Sequence, residues 1–185
     1  MKFKTQPTQL KDLLIIIPKV NEDNRGFFLE FFNKHDFNIL GIPINFVQGN
    51  HSRSLKNVVR GLHYQWSPPS GKLIRVTRGE AFIAAVDIRI NSSTLGNYFS
   101  TYLSENNKIM LWVPSGFATG FCASKNETEI QYLMTAEYIE KNQGIILWND
   151  PTLKICWPTD CPILSEKDMN AQTFNQYLEK ILNGK

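Results

Sequence analysis

The segment Val58-Val-Arg-Gly-Leu-His-Tyr-Gln65 places a guanidinium and an imidazole inside an otherwise apolar, strand-like run. Such groups are costly within a sheet unless they are paired or face a cavity. Side chains alternate between faces along a strand, so regular pairing sends Arg60 and His63 to opposite faces. Gly61 lies between them and supplies the one position where a bend would unite them. Imidazole is the side chain best suited to moving protons near neutral pH, and cationic groups beside it suit an anion or a developing negative charge. Lys72 opens the next strand-like run after the turn Ser67-Pro-Pro-Ser-Gly71; taken alone it reads as a solvated strand end. Gln48-Gly-Asn50 sets two amides two residues apart on one strand face, each both donor and acceptor, as recognition of a flat polar ring requires. Taken singly, Tyr132 within Glu129–Met134 reads as a core tyrosine and Asp168 as a surface acid. Arg25 and Glu30 flank an unusually aromatic run, Phe27–Phe32.

The remaining histidines are His35 and His51, and no two of the three stand two or four residues apart. That spacing rules out a His-x-His or H-E-x-x-H metal motif and disfavours metal-dependent chemistry. Cys122, Cys156 and Cys161 are odd in number and lack C-x-x-C spacing, which argues against a disulfide framework or zinc ribbon. Twenty Lys and Arg against seventeen Asp and Glu leave a net charge of +3 with no basic run, a poor footprint for nucleic acid but compatible with a small anionic ligand. The first residues have no apolar leader, and Leu13–Ile17 is too short to span a membrane, so a cytoplasmic protein with no membrane partner is expected.

The elements that must position these groups are mainly strands. At 185 residues the chain suffices for one substantial core, with no linker or internal repeat, so a single domain over 1–185 is expected. Short apolar runs at spacings of roughly ten residues, separated by turn formers, indicate a sandwich or barrel. Strands are predicted at 13–18, 27–32, 44–52, 58–65, 72–77, 80–88, 98–103, 108–113, 128–135 and 144–148. Phe174, Tyr177, Leu178, Ile181 and Leu182 recur with helical period, predicting a C-terminal helix with a cap at Asn170.

Read together, the segments are more specific than any one alone. Asp23-x-Arg-Gly-Phe-Phe, Asn50-His-Ser, Arg60-Gly-Leu-His-Tyr-Gln65, Gly71-Lys-Leu, Ala85-Val-Asp-Ile-Arg89, Trp112-Val-Pro-x-Gly-Phe117, Trp148-Asn-Asp-Pro151 and Ile163-Leu-Ser-x-Lys-Asp168 occur in this order. The series resembles the dTDP-4-dehydrorhamnose 3,5-epimerase family of dTDP-L-rhamnose biosynthesis, from about residue 11 to residue 170. The resemblance implies an all-β, cupin-type antiparallel barrel or jelly roll with a few short helices. It also implies a homodimer with sites shared between subunits, catalysis with no metal or other cofactor, and inversion of the carbons flanking the C4 ketone of a dTDP-linked 6-deoxyhexose. By the same resemblance His63 is the base, Asp168 its orienting partner, Tyr132 the acid on the opposite face, and Lys72 with Arg60 the cations that hold the enolate or phosphate. Arg25, Glu30, Gln48 and Asn50 correspond to nucleotide-binding positions, some contributed across the dimer. Tyr138 corresponds to an aromatic that stacks on thymine, and Lys167 to a further ligand contact. Three positions depart from the pattern. Thr119 stands where a histidine is usual, Gly49 where an aspartate is usual, and Gln143 where a ligand-contacting glutamate is frequent. With base, acid and lysine kept, epimerisation at C3 and C5 is the leading expectation. The alternatives are a C3-only epimerase, a 3,4-ketoisomerase and a non-catalytic sugar-nucleotide-binding cupin.

Overall fold

In a computed structural model, which describes residues 1–183, strands dominate and every pairing within the sheets is antiparallel. One sheet runs β1 (Phe3–Pro7), β2 (Leu14–Pro18), β10 (Met110–Val113), β7 (Lys72–Arg78), β12 (Thr128–Met134), β5 (Gln48–Ser54) in spatial order. The second runs β13 (Gln143–Ile145), β6 (Val59–Gln65), β11 (Phe117–Ala123), β8 (Glu80–Asp87), β9 (Tyr98–Ser104). A separate hairpin pairs β3 (Val20–Asp23) with β4 (Gly26–Leu29). Among the described residues, α1 (Lys34–Ile39), α2 (Glu166–Met169) and α3 (Phe174–Asn183) are α-helical, and Glu140–Asn142 forms a 3-10 turn.

The two sheets face each other because alternate residues of both carry the same apolar payload. Ile74, Val76, Leu111 and Ile130 from the first sheet pack with Ala81, Ile83, Ala85, Leu103 and Phe117 from the second. The other face of β8, Phe82, Ala84 and Val86, is covered by Phe174 and Tyr177 of α3 and by the segment around Leu153 and Ile155. Burial on both sides explains why Ala81–Val86 is an unbroken apolar run rather than an alternating one. On the outside of the first sheet, Phe37 of α1 packs with Phe3, Ile16, Leu73, Met110 and Trp112. This inter-sheet core occupies part of the sandwich, and the remainder between β5, β12 and β7 on one side and β6 and β11 on the other stays open as a cavity.

Several predicted bounds shift for local reasons. The aromatic strand stops at Leu29, since Glu30 turns away to pair with Lys2 and to accept from Asn33 Nδ2 at 3.0 Å. The run 44–52 pairs only from Gln48, with Ile44 and Phe46 packing against the outer cluster instead. The run 144–148 pairs only at Gln143–Ile145. The cap of α3 is Thr173 rather than Asn170: Gln176 N donates to Thr173 Oγ1 at 3.2 Å and Thr173 N to Gln176 Oε1 at 2.8 Å, a reciprocal capping box. Asn170 instead closes α2. Strands β1, β3 and β11 lie outside the predicted set.

The bend expected at Gly61 is present and sets the register of the second sheet. Thr119 of β11 faces His63, and Phe121 faces Arg60, so β6 advances three residues where β11 advances two. That extra residue reverses the alternation and brings Arg60 and His63 to the same face, where both line the cavity. Gly61 has φ +128°, and a Cβ there would lie 2.5 Å from Gly120 Cα and 2.8 Å from Thr119 O. Gly26, with φ +126°, has nothing within 4 Å of such a Cβ. Gly26→Ala therefore meets backbone strain alone, whereas Gly61→Ala adds a backbone collision and is expected to lose about 1–3 kcal/mol more stability. Denaturant unfolding of the two variants checks this, and equal losses would contradict the contact.

Candidate active site

The cavity has a volume of about 330 Å³ and an apolar floor of Ile74, Ile83 and Ile130. Its walls come from different sheets. Arg60 and His63 of β6 and Thr119 of β11 form one, while Gln48 and Asn50 of β5, Lys72 of β7 and Tyr132 of β12 form the other. Tyr138 and Gln143 close the rim. No Asp or Glu is among the lining residues, so the two cations Lys72 and Arg60 face a space without a compensating carboxylate.

His63 is oriented from behind. Its Nε2 lies 2.7 Å from Asp168 Oδ1. The second carboxylate oxygen accepts from Ser165 Oγ at 2.8 Å, and the N–H of Gly61 also donates to this group. Burial alone would raise the Asp168 carboxyl; the bonds from His63, Ser165 and Gly61 outweigh it and hold the group below its ordinary range. An ionised carboxylate only accepts, so Nε2 donates to Asp168, and Nδ1 is the ring nitrogen that Asp168 leaves unengaged. Ser165 is also the N-cap of α2, with Asp168 N donating to its Oγ at 3.2 Å. The pattern Ser165-Glu-Lys-Asp168 is a capping signature legible in the sequence, and it identifies Ser165 as a member of the site that sequence reasoning overlooked. The segment is tied to β6 by backbone bonds, Val59 N to Ile163 O at 3.0 Å and Ile163 N to Asn57 O at 2.9 Å.

Across the cavity, burial pushes the Tyr132 phenol above its ordinary pKa; the charge of Arg60 opposes this and Tyr138 adds to it. Tyr132 therefore holds its proton at neutral pH, as a proton donor must. Lys72 Nζ spans the gap between the sheets, donating to Thr119 Oγ1 at 2.8 Å and to the His63 carbonyl at 3.4 Å. Arg60 donates from Nε to Ser54 Oγ at 3.2 Å, which leaves part of its fork for a ligand. The predicted amide pair is aligned: Gln48 Nε2 donates to Asn50 Oδ1 at 2.9 Å, and Gln48 Oε1 accepts from Tyr138 N at 2.7 Å. Asn50 Nδ2 donates to Met134 Sδ at 3.2 Å, and Tyr138 OH to Gln143 Oε1 at 3.3 Å.

Three expected site residues stand apart from this cavity within the chain. Arg25 lies at the tip of the β3–β4 hairpin, paired with Asp23, and Glu30 follows the hairpin, paired with Lys2. Lys167 on α2 pairs with Glu140 at 2.7 Å, near Tyr138 at the rim. Asp87, from the motif Ala85–Arg89, is a structural knot rather than a site residue. It is fully buried, and although burial raises its pKa, donors from Arg89, Ser92 and Thr94 bring it down to about 2. Cavity-lining Ser52, Phe121 and Met134 carried no chemical signal in the sequence.

Two facing antiparallel sheets around a cavity furnished with an oriented imidazole, a phenol and two cations define a cupin-type sandwich equipped for proton transfer. The chain belongs to the dTDP-4-dehydrorhamnose 3,5-epimerase family, whose model of that description matches residues 7–176. It is 47% identical over 169 residues to the dTDP-4-dehydrorhamnose 3,5-epimerase of Shigella flexneri, covering 90% of this chain and 93% of the relative. To the enzyme of the same name from Pseudomonas aeruginosa it is 45% identical over 174 residues, covering 93% and 96%. The crystal structure of a dTDP-6-deoxy-D-glucose-3,5-epimerase from Legionella pneumophila, in complex with dTDP-4-keto-L-rhamnose, superposes with a TM-score of 0.91 at 42% identity, covering 94% of this chain and 93% of that one.

Burial lowers the Lys72 ammonium from its ordinary 10.5 to about 8. Between those two values the unfolded chain binds more protons at this position than the folded one, so stability rises with pH; below about 8 the full cost of enclosing the charge is present. Lys72→Met removes that cost and is expected to raise the unfolding free energy by about 2–3 kcal/mol near pH 7. The advantage should fade as pH climbs from about 8 to 10.5. Denaturant unfolding of both proteins at the two ends of that range reads the effect, and a Met variant no more stable near neutrality would contradict it.

Proposed function

We propose that this protein converts dTDP-4-dehydro-6-deoxy-D-glucose to dTDP-4-dehydro-L-rhamnose by proton abstraction and return at C3 and C5. The observation that carries this reading is the placement of His63 and Tyr132 on facing sheets, with Lys72 and Arg60 in the same cavity. A sugar ring between the sheets presents one face to the imidazole and the other to the phenol. His63 Nδ1 takes the proton alpha to the C4 ketone, and the electron pair moves onto the ketone oxygen as an enolate. Lys72 and Arg60 stabilise that oxygen or the adjacent phosphates. Tyr132 returns a proton from the opposite face, which inverts the centre. Asp168 offsets the imidazolium while it lasts.

The cavity's surplus of positive charge suits the diphosphate of a dTDP-sugar, and Gln48, Asn50, Tyr138 and Gln143 offer the amides and the aromatic ring that a thymidine moiety requires. Lys167 beside Tyr138 completes the proposed set of substrate contacts, and Thr119 lies across from His63 with its oxygen on Lys72. Arg25 and Glu30 serve a neighbouring subunit. The hairpin that carries Arg25 leaves Phe27 and Phe28 59% and 66% exposed, and Phe31 beside it is partly exposed, an apolar surface that a homodimer would cover. The 185 residues act as one domain, and the enzyme works in the cytoplasm without cofactor; no described helix is long and apolar enough to cross a membrane.

Incubation with dTDP-4-keto-6-deoxyglucose in deuterated water, read by NMR, is expected to place label at C3 and C5. Label at C3 alone would reassign the protein as a monoepimerase, a displaced ketone as a ketoisomerase, and no label at either carbon as a non-catalytic binder. His63→Asn is expected to slow exchange by about 10²–10⁴-fold.

A further inference from the structure

We propose that Thr119 is a positioning residue for the Lys72 ammonium, acting on the reaction through that cation rather than by touching the sugar nucleotide. The proposal rests on the epimerase reading for its effect on turnover. Its structural basis is independent of that reading.

Lys72 is rooted in β7 of one sheet, yet its ammonium is bonded to the other. Four methylenes allow such a group many positions, and holding one costs entropy that a specific acceptor must offset. Among the described residues no carboxylate lies within 4.0 Å of Lys72 Nζ, so no ion pair fixes it. The sole side-chain acceptor it has is Thr119 Oγ1 at 2.8 Å, with the His63 carbonyl a longer second contact at 3.4 Å. Thr119 is buried and stands directly across from His63 in the β11–β6 register. Its own hydroxyl proton points to that same His63 carbonyl at 3.4 Å. One hydroxyl therefore accepts from the lysine and donates to the backbone of the base, so cation and imidazole share a common anchor on the second sheet. The β-branch of threonine restricts χ1, which keeps the oxygen where Lys72 finds it.

The other titratable groups around the ammonium are His63 and Arg60 on β6, Tyr132 on β12 and Tyr138 after it, with Asp168 on α2 behind His63. None of them accepts a hydrogen bond from Lys72 Nζ through its side chain. An acceptor favours the charged form of an amine, and deleting it favours the neutral form. Loss of the Thr119 oxygen should therefore move the deprotonation of Lys72 to lower pH, bringing forward the alkaline decline of any step that needs the cation.

Two substitutions separate this role from packing. Thr119→Val keeps the shape and deletes the oxygen, whereas Thr119→Ser keeps the oxygen and deletes a methyl. The Lys72 titration is followed by NMR of ¹³C-labelled lysine in the full chain, its signal assigned by its loss in Lys72→Met. Thr119→Val is expected to lower the Lys72 midpoint by about half a unit or more, with Thr119→Ser close to the parent. In deuterium exchange at saturating substrate, Thr119→Val should lose about tenfold in kcat, with KM within about twofold and the alkaline limb shifted down by the same interval. An unchanged Lys72 midpoint in Thr119→Val, or a loss in Thr119→Ser as large as in Thr119→Val, would overturn the proposal. If the parent protein exchanges no proton at either carbon, the epimerase reading fails, and the Lys72 titration still decides the role of Thr119.

Discussion

At Gly61 the backbone of β6 passes so close to β11 that no side chain fits between them. Much else in the site follows from that contact. The extra residue it absorbs turns Arg60 and His63 toward the same space, which regular pairing would forbid. The Gly61 N–H also lies on the side of Asp168, where it is the smallest of the influences that hold that carboxyl low. A single backbone irregularity thus sets which way the imidazole faces and helps ionise the group that orients it. Gly120 on the opposing strand is the matching half, since a Cβ there would lie 2.8 Å from Arg60 O.

Charge is distributed with the same economy. The cavity lining holds cations but no acid, and its floor is isoleucine. The one carboxylate that serves the site, Asp168, sits behind the imidazole instead of in the cavity. Placed there, it polarises His63 without cancelling the field that the cations present to an anionic ligand. Enclosing an unpaired ammonium lowers its proton affinity, so Lys72 is held close to the pH range where it exchanges a proton readily. The fold tolerates this because the two sheets share a large apolar core beside the cavity, and because each wall belongs to a sheet whose strands pair along their length.

The β-class, most strands and the C-terminal helix were legible because apolar periodicity and turn residues report on local backbone and burial. Strand β11 was not, since Ala118, Gly120 and Ala123 within Phe117–Ala123 are residues of weak strand preference. Gly120 is there because the close approach of β6 leaves no room for a side chain, a tertiary reason with no local signal. The cap of α3 lies at Thr173, three residues beyond Asn170, where Thr173-x-x-Gln176 carries the capping-box pattern. At the site, the shared face of Gln48 and Asn50 could be anticipated from alternation, whereas for the bend at Gly61 the sequence offered only a residue that permits it. The pairing of His63 with Asp168, 105 residues apart, has no trace in spacing and was reached only through the order of motifs. Arg25 and Glu30 illustrate the opposite case: their motif is clear, yet within one chain they lie outside the cavity.

The helix that carries Asp168 enters late in the chain. Both cavity walls are contained in residues 48–145, whereas the carboxylate behind the imidazole belongs to a short helix joined to β6 by backbone bonds at Ile163. During ribosomal synthesis the walls emerge before the carboxylate that bonds His63. A nascent chain that ends before α2 lacks the carboxylate that bonds His63 Nε2. The order of the polypeptide thereby makes the contact between His63 and Asp168 one of the last that synthesis can complete.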